Sequence, residues 1–178
     1  RISEAEKTLR QEHRQLATIV RATEEELKLA QRIQRRLLPA AAVKLPGLDL
    51  AGVSRAAEWT SGDYYDYLSL RNGQTAVVIA DVCDHGIRPA LFMSSTRASL
   101  RGIAPTLDNV GELLTHGNRA VVDCVSPSEF VTIFAALYDA TGHTLQYAGA
   151  GHVAFYLHCD GSSQLLEADV PPLGILPE

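Results

Sequence analysis

Residues 61–86, SGDYYDYLSLRNGQTAVVIADVCDHG, leave this chain few ways to fold. Residues 63–70 are rich in tyrosine and leucine, Arg71-Asn72-Gly73 is a turn signal, and residues 75–82 are almost unbroken apolar sequence. That combination predicts a β-hairpin. Pairing centred on Asn72 sets Asp63 opposite Asp81 at the open end, with Cβ atoms about 5 Å apart. A two-residue turn at Asn72-Gly73 shifts the register by one, and the two carboxylates stay adjacent in either case.

Two carboxylates at that distance repel by on the order of 3 kcal/mol at an effective dielectric near 20. A folded sheet tolerates the pair if one group is protonated or a cation lies between them. Oxygen donors alone favour a hard ion such as Mg²⁺ or Mn²⁺ over zinc. The competing reading is that one aspartate caps the next turn and points into solvent.

The remaining composition narrows the function classes. At 178 residues the chain has room for one domain and an appendage. No apolar run approaches the roughly 20 residues that span a bilayer, and no signal-peptide pattern is present. The sequence opens at Arg1 rather than methionine, as expected of a piece of a longer protein. Cys83, Cys124 and Cys159 are odd in number and form no CxxC pair, which suits a reducing cytoplasm and neither a disulfide framework nor a zinc knuckle. Residues 1–38 hold nine Lys/Arg against six Asp/Glu, whereas the remainder holds seven against fifteen. An acidic globular part argues against nucleic-acid binding and suits cation binding or a solvated acidic surface.

Residues 2–38 contain no glycine or proline. Ile2, Leu9, Leu16, Thr23, Ala30 and Leu37 recur every seventh residue, with Ala5, Ile19 and Ile33 three further on. This heptad seam predicts a helix too long and too narrowly striped to stand alone, and a parallel homodimeric coiled coil is the first expectation. Packing of residues 30–38 on the chain's own domain is the alternative. Pro39 ends the helix and Pro46-Gly47 closes a short linker, giving a coiled-coil helix over 1–38 and a globular domain over 39–178. Within the domain the patterns predict a strand at 48–55, the central hairpin, helices at 87–103 and 109–122, and strands at 129–138, 144–148, 152–158 and 164–167. Strands, two helices and then a meander predict an α+β fold with antiparallel sheet.

Several blocks in this order resemble one family. Ala30-Gln-Arg-Ile-Gln-Arg-Arg-Leu-Leu-Pro39 precedes Ser61-Gly62-Asp63-Tyr64-Tyr65-Asp66, which is similar to a G-G-D-Y-Y-D motif. Ala80-Asp81-Val82-Cys83-Asp84-His85-Gly86 with Pro89-Ala90-Leu91-Phe92-Met93 is similar to A-D-V-x-G-H-G…A-A-L-x-M. Phe130-Val131-Thr132, Tyr147-Ala148-Gly149-Ala150-Gly151-His152 and Leu173-Gly174-Ile175 follow in register. Together these resemble the metal-dependent (PPM, type 2C) serine/threonine phosphatases of the SpoIIE/RsbU branch, over residue 30 to the end. Asp84 stands where many members have glycine, and Gly149 replaces the usual asparagine.

The resemblance implies an α-β-β-α arrangement of two stacked antiparallel sheets flanked by helices. It implies two Mn²⁺ or Mg²⁺ ions, with Asp63, Asp81 and the Val82 carbonyl as ligands, activating a water against phosphoserine or phosphothreonine. It implies a phosphorylated protein substrate of the anti-sigma-factor-antagonist kind, an upstream sensor domain, and a cytoplasmic location. The family's later T-D-G and D-D segments, which supply further metal aspartates, are not in this sequence, so the domain is expected to be C-terminally incomplete. His85, beside Asp81, is the candidate proton donor, and His152 reads as a hydrogen-bonded structural residue. Arg88 reads as a salt-bridge partner more than a phosphate ligand. A regulatory module without turnover is the rival from a non-enzyme class. A nucleotidyl cyclase also joins a signalling helix to paired aspartates, but the absence of lysine after Lys44 counts against a triphosphate site. No Ser/His/Asp triad pattern, Walker loop or G-x-G-x-x-G after a strand is found.

Overall fold

A computed structural model describes residues 3–124, 126, 129–168 and 170–177. Ile2, the first position of the heptad seam, lies outside them. The first element is a single helix, α1 (Glu4–Arg35), opened by a capping box in which Ser3 and Glu6 satisfy each other's backbone amides. It stops short of the predicted end at residue 38, because Pro39 follows and the Arg36 amide turns back onto Ile33. At 1.5 Å per residue it is roughly 48 Å long.

Its seam divides. Leu9, Leu16, Ile19 and Val20 stand 55–66% exposed, with no part of the domain beneath them. Further along, Leu27, Ala30, Gln31, Gln34, Leu37 and Leu38 are half-buried, and Leu38 packs against the domain core. The second half of the segment therefore rests on its own domain, while the first half has an uncovered apolar stripe.

The hairpin forms in the predicted register. Strands β1 (Asp63–Ser69) and β2 (Thr75–Val82) pair antiparallel, from Ser69 opposite Thr75 to Asp63 opposite Asp81. The turn is centred on Asn72, whose side chain accepts from the Gln74 amide, and Gly73 supplies a φ of +81°. Strand β3 (Val131–Asp139) joins β2, and β4 (Thr144–Ala150) joins β3, giving a four-stranded antiparallel sheet in the order β1-β2-β3-β4. β5 (Ala154–Leu157) and β6 (Ser163–Leu166) form a separate hairpin.

Helices α2 (Ile87–Ile103) and α3 (Val110–Val122) lie on one face of the main sheet, joined by a 3-10 turn at Ala104–Thr106. Tyr64, Leu68, Val78, Val82, Val131 and Ile133 point into that layer and meet Met93, Leu100, Leu113 and Val121. Asn109 caps α3 by accepting from the Glu112 amide. This is the antiparallel α+β fold with flanking helices that the sequence predicts.

Several bounds shift by a residue or two, and three departures have a clear physical cause. The strand expected at 48–55 does not form. That segment makes one isolated bridge, Leu45 with Leu48, and then runs irregularly, since no described strand lies beside it to take its backbone hydrogen bonds. Gly52 instead lies against the Tyr65 ring, where a Cβ would come within 2.5 Å, and its carbonyl accepts from the Tyr65 hydroxyl. The strand expected from residue 129 starts at Val131, because the Glu129 side chain is drawn to the Ser126 amide and to Arg88. β5 begins at Ala154 rather than residue 152. Gly151 turns the chain at φ +66° with Pro172 closed against it. Among the described residues, no helix is long and apolar enough to cross a membrane.

Candidate metal centre

Strand alternation gives β1 two chemically opposite faces. Tyr64, Asp66 and Leu68 point toward the helices, whereas Asp63, Tyr65 and Tyr67 point the other way. Register extends the second face across the sheet: Asp63, Asp81 and Thr132 form one cross-strand row. Asp63 and Asp81 are therefore neighbours by backbone pairing and need no chance side-chain conformation to meet.

The electrostatics record that proximity. Partial loss of water, and then the charge of Asp63, push the Asp81 carboxyl above the usual carboxylate range, with His152 opposing. His152 hydrogen-bonds the Thr132 hydroxyl through Nδ1 at 2.9 Å. Burial pushes its imidazole below the ordinary histidine range, against the pull of Asp81 and Asp63.

Gly62 sets the approach on the other side. A Cβ there would fall 2.6 Å from the Val82 carbonyl oxygen and 3.3 Å from Asp81 Oδ1, so any larger residue would force the two strand ends apart. The Val82 amide donates to the Gly62 carbonyl at 3.4 Å, and the Ser61 hydroxyl accepts from the Asp63 amide at 3.1 Å. The Val82 carbonyl oxygen and Asp81 Oδ1 both lie beside Gly62, and oxygen atoms of this kind are what a hard cation takes as ligands. An ion held by two carboxylates and a carbonyl here would keep several waters, since three oxygens would fall short of a closed shell. Among the described residues, no cluster of three or more His, Cys, Asp or Glu side chains is placed to hold a metal.

A cavity of about 430 Å³ opens over this row, lined by Arg55, Glu58, Ser61, Gly62, Asp84 and His85 besides the two aspartates. A larger apolar cavity of about 510 Å³ lies among α3, β4 and residues 170–176, and contains none of the predicted site residues. Chemistry favours the smaller one. His85 lines it, largely exposed, with Nδ1 4.0 Å from Glu58. Asp84 adopts a φ of +77° and accepts from the His85 amide, so it caps that turn and leaves α2 without a side-chain cap. Arg88 pairs with Glu129 at 2.7 Å and so is occupied as a salt-bridge partner.

Two features escaped the sequence reading. Asp66 is fully buried on the helix-facing side, held by Arg101 in two hydrogen bonds of 2.6 and 2.5 Å, by the Tyr64 hydroxyl at 2.8 Å, and by Arg97 at 3.7 Å. The signal was present: a carboxylate between Tyr64 and Leu68 on an apolar face must find cations, and Arg97 and Arg101 are four apart on one helix. The second is Gln34, whose amide meets the Ser61 backbone twice, at 2.7 and 3.1 Å. A glutamine in a helical segment carries no such signal.

The sequence profile described as Stage II sporulation protein E (SpoIIE) matches residues 71–178. Phosphoserine phosphatase RsbU of Bacillus subtilis is 33% identical over 93% of this chain and 50% of its own length. The chain belongs to the SpoIIE family. It falls in the SpoIIE/RsbU branch of PP2C-type phosphatase domains, which are metal-dependent as a class. Another SpoIIE-type relative, phosphoserine phosphatase RsbP of B. subtilis, is 28% identical over 86% of this chain and 39% of its own. The chain spans half or less of the length of these curated relatives. Among solved structures, the SiaA-PP2C domain of Pseudomonas aeruginosa superposes with a TM-score of 0.70 at 19% identity, covering 89% of this chain and 65% of that one, which shows a shared fold. The RsbU and RsbW domains of a Mycobacterium tuberculosis protein superpose at 0.56 with 30% identity, over 68% of this chain and 34% of theirs.

Proposed function

We propose that this chain is the phosphatase module of a metal-dependent phosphoserine/phosphothreonine protein phosphatase. The observation that carries the reading is the register that sets Asp63 opposite Asp81, and neither is ion-paired to a lysine or arginine among the described residues. Asp63, Asp81 and the Val82 carbonyl would hold Mn²⁺ or Mg²⁺, and two ions are expected by resemblance to the family. When bound, the metal supplies an activated water and neutralises charge on the phosphoryl oxygens. The chain's own residues hold the carboxylates at a fixed spacing, keep the Gly62 side open, and place His85 in the cleft as proton donor to the leaving alkoxide. A phosphorylated regulator of the anti-sigma-factor-antagonist kind is the proposed substrate, by analogy with RsbU and RsbP. Cys83, Cys124 and Cys159 form no disulfide among the described residues, which accords with a cytoplasmic setting.

The test is Mn²⁺-dependent release of phosphate from a phosphoserine peptide. Asp81→Asn is expected to lower the rate by at least about a thousandfold, in line with loss of a transition-state charge clamp. Retained activity in that variant would end the reading. A second reading, a module that signals without turnover, is favoured by the absence of a three-ligand cluster among the described residues. Calorimetry with Mn²⁺ separates the two, because tight binding to this chain counts against the second.

We assign residues 1–38 to a coiled-coil and linker segment whose exposed first half pairs two copies and receives the state of an upstream sensor, and residues 39–178 to the phosphatase domain. The exposed stripe of Leu9, Leu16 and Ile19 supports this, since a lone helix of that kind is marginal in water. Leu16→Asp is expected to turn a dimer into a monomer by sedimentation. A monomeric parent would remove the assignment.

A further inference from the structure

We infer that Gln34, in the last turn of α1, is a positioning residue for Asp63, and that cation affinity at the carboxylate row depends on it. The inference rests on the metal reading above. The Gln34 side-chain amide donates from Nε2 to the Ser61 carbonyl at 2.7 Å, and its Oε1 accepts from the Ser61 amide at 3.1 Å. Both backbone polar groups of one residue are thus taken by one side chain. A primary amide does this because it carries a donor and an acceptor side by side; a carboxylate has no proton for the Ser61 carbonyl.

Ser61 passes the constraint on. Its hydroxyl accepts from the Asp63 amide at 3.1 Å, and the next residue, Gly62, accepts from Val82 on β2. The start of β1 is gripped from outside by α1 and from inside by β2. Two further contacts tie the same elements together. Lys28 lies 5.5 Å over the Trp59 ring, two residues before Ser61, and the Tyr65 hydroxyl shares its one proton between the Gly52 carbonyl at 3.1 Å and the Pro39 carbonyl at 3.3 Å. Successive helix positions are 100° apart, so a register shift of α1 by one residue would carry Gln34 off Ser61. Gln34 is therefore the point at which the orientation of α1 reaches a proposed metal ligand.

The test uses the full chain with Gln34→Ala and Gln34→Glu. In the metal-free state, Gln34→Ala is expected to speed amide exchange at Ser61 and Asp63 by about tenfold or more, while exchange in β2 and β3 stays as in the parent. Its Mn²⁺ dissociation constant by calorimetry should rise about tenfold, within the range of single positioning residues. Gln34→Glu should weaken binding at least as much, although it keeps side-chain length. Unchanged exchange at Ser61 overturns the inference, as does faster exchange with unchanged Mn²⁺ affinity. Acceleration spread equally over the sheet also overturns it, because that marks general destabilisation. A parent chain that binds no Mn²⁺ removes the metal reading and this inference with it. A difference absent only between parent and Gln34 variants removes this inference alone.

Discussion

Asp63 and Asp66 sit three residues apart on one strand and live in opposite electrostatic worlds. Asp66, on the helix-facing side, is fully buried and met by two arginines and a tyrosine hydroxyl. Asp63, on the other side, faces Asp81, with His152 nearby and pushed by burial below the ordinary histidine range. A protein that neutralises a carboxylate for stability supplies the cation itself, from a neighbouring helix. The second face has cross-strand carboxylates that, among the described residues, no lysine or arginine pairs with, which is tolerable where an outside ion completes the balance. The contrast, within one hairpin, separates structural charge from charge kept for chemistry.

Exchanging the charge at each face should break the molecule in different ways. Asp81→Asn should remove the phosphatase activity proposed above yet leave the melting temperature equal or higher, since it deletes one member of a repelling pair. Asp66→Asn should do the reverse. It strips the buried partner from Arg97 and the part-exposed Arg101, and breaking one side of a buried ion pair costs roughly 3–5 kcal/mol. The expected result is a fall in unfolding free energy of that size by urea titration, unaffected by added Mn²⁺ when extrapolated to metal-free folded protein. If Asp66→Asn were neutral for stability, or Asp81→Asn strongly destabilising, the two faces would not differ as argued.

The readable part of the fold was the part with strict local rules. The hairpin, its register and α2 follow from turn residues and apolar runs, because period-two alternation leaves one way to bury Val78, Ala80 and Val82. The carboxylate row follows from that register. What stayed hidden depends on contacts distant in sequence. Residues 48–55 look like a strand by composition, but a strand needs a neighbour, and Tyr65 holds Gly52 as a loop instead. Gln34 reaches Ser61 across 27 residues, a meeting that only the docked helix creates. The division of α1 into an exposed and a docked half was open in the heptad pattern, since Ala30 and Leu37 continue the same spacing as Leu9 and Leu16.

The smallest effect expected concerns pH, and it probes the same two faces without altering the fold. On the open face the Asp81 carboxyl is raised in the folded, metal-free chain. The folded state then holds a proton that the unfolded chain releases near pH 4, so this group's contribution to stability is full below that value and declines as pH rises through the raised one. The difference in unfolding free energy between parent and Asp81→Asn should show that decline, and saturating Mn²⁺ should erase it, because an ion stabilises the carboxylate form. On the closed face Tyr64 titrates well above the usual tyrosine range, by burial first and then by the charge of Asp66. Its stabilising contribution is full below about pH 10 and is lost as pH rises beyond. Metal should not move that alkaline arm. An acid arm insensitive to Mn²⁺ would mean that Asp81 is not where the ion binds.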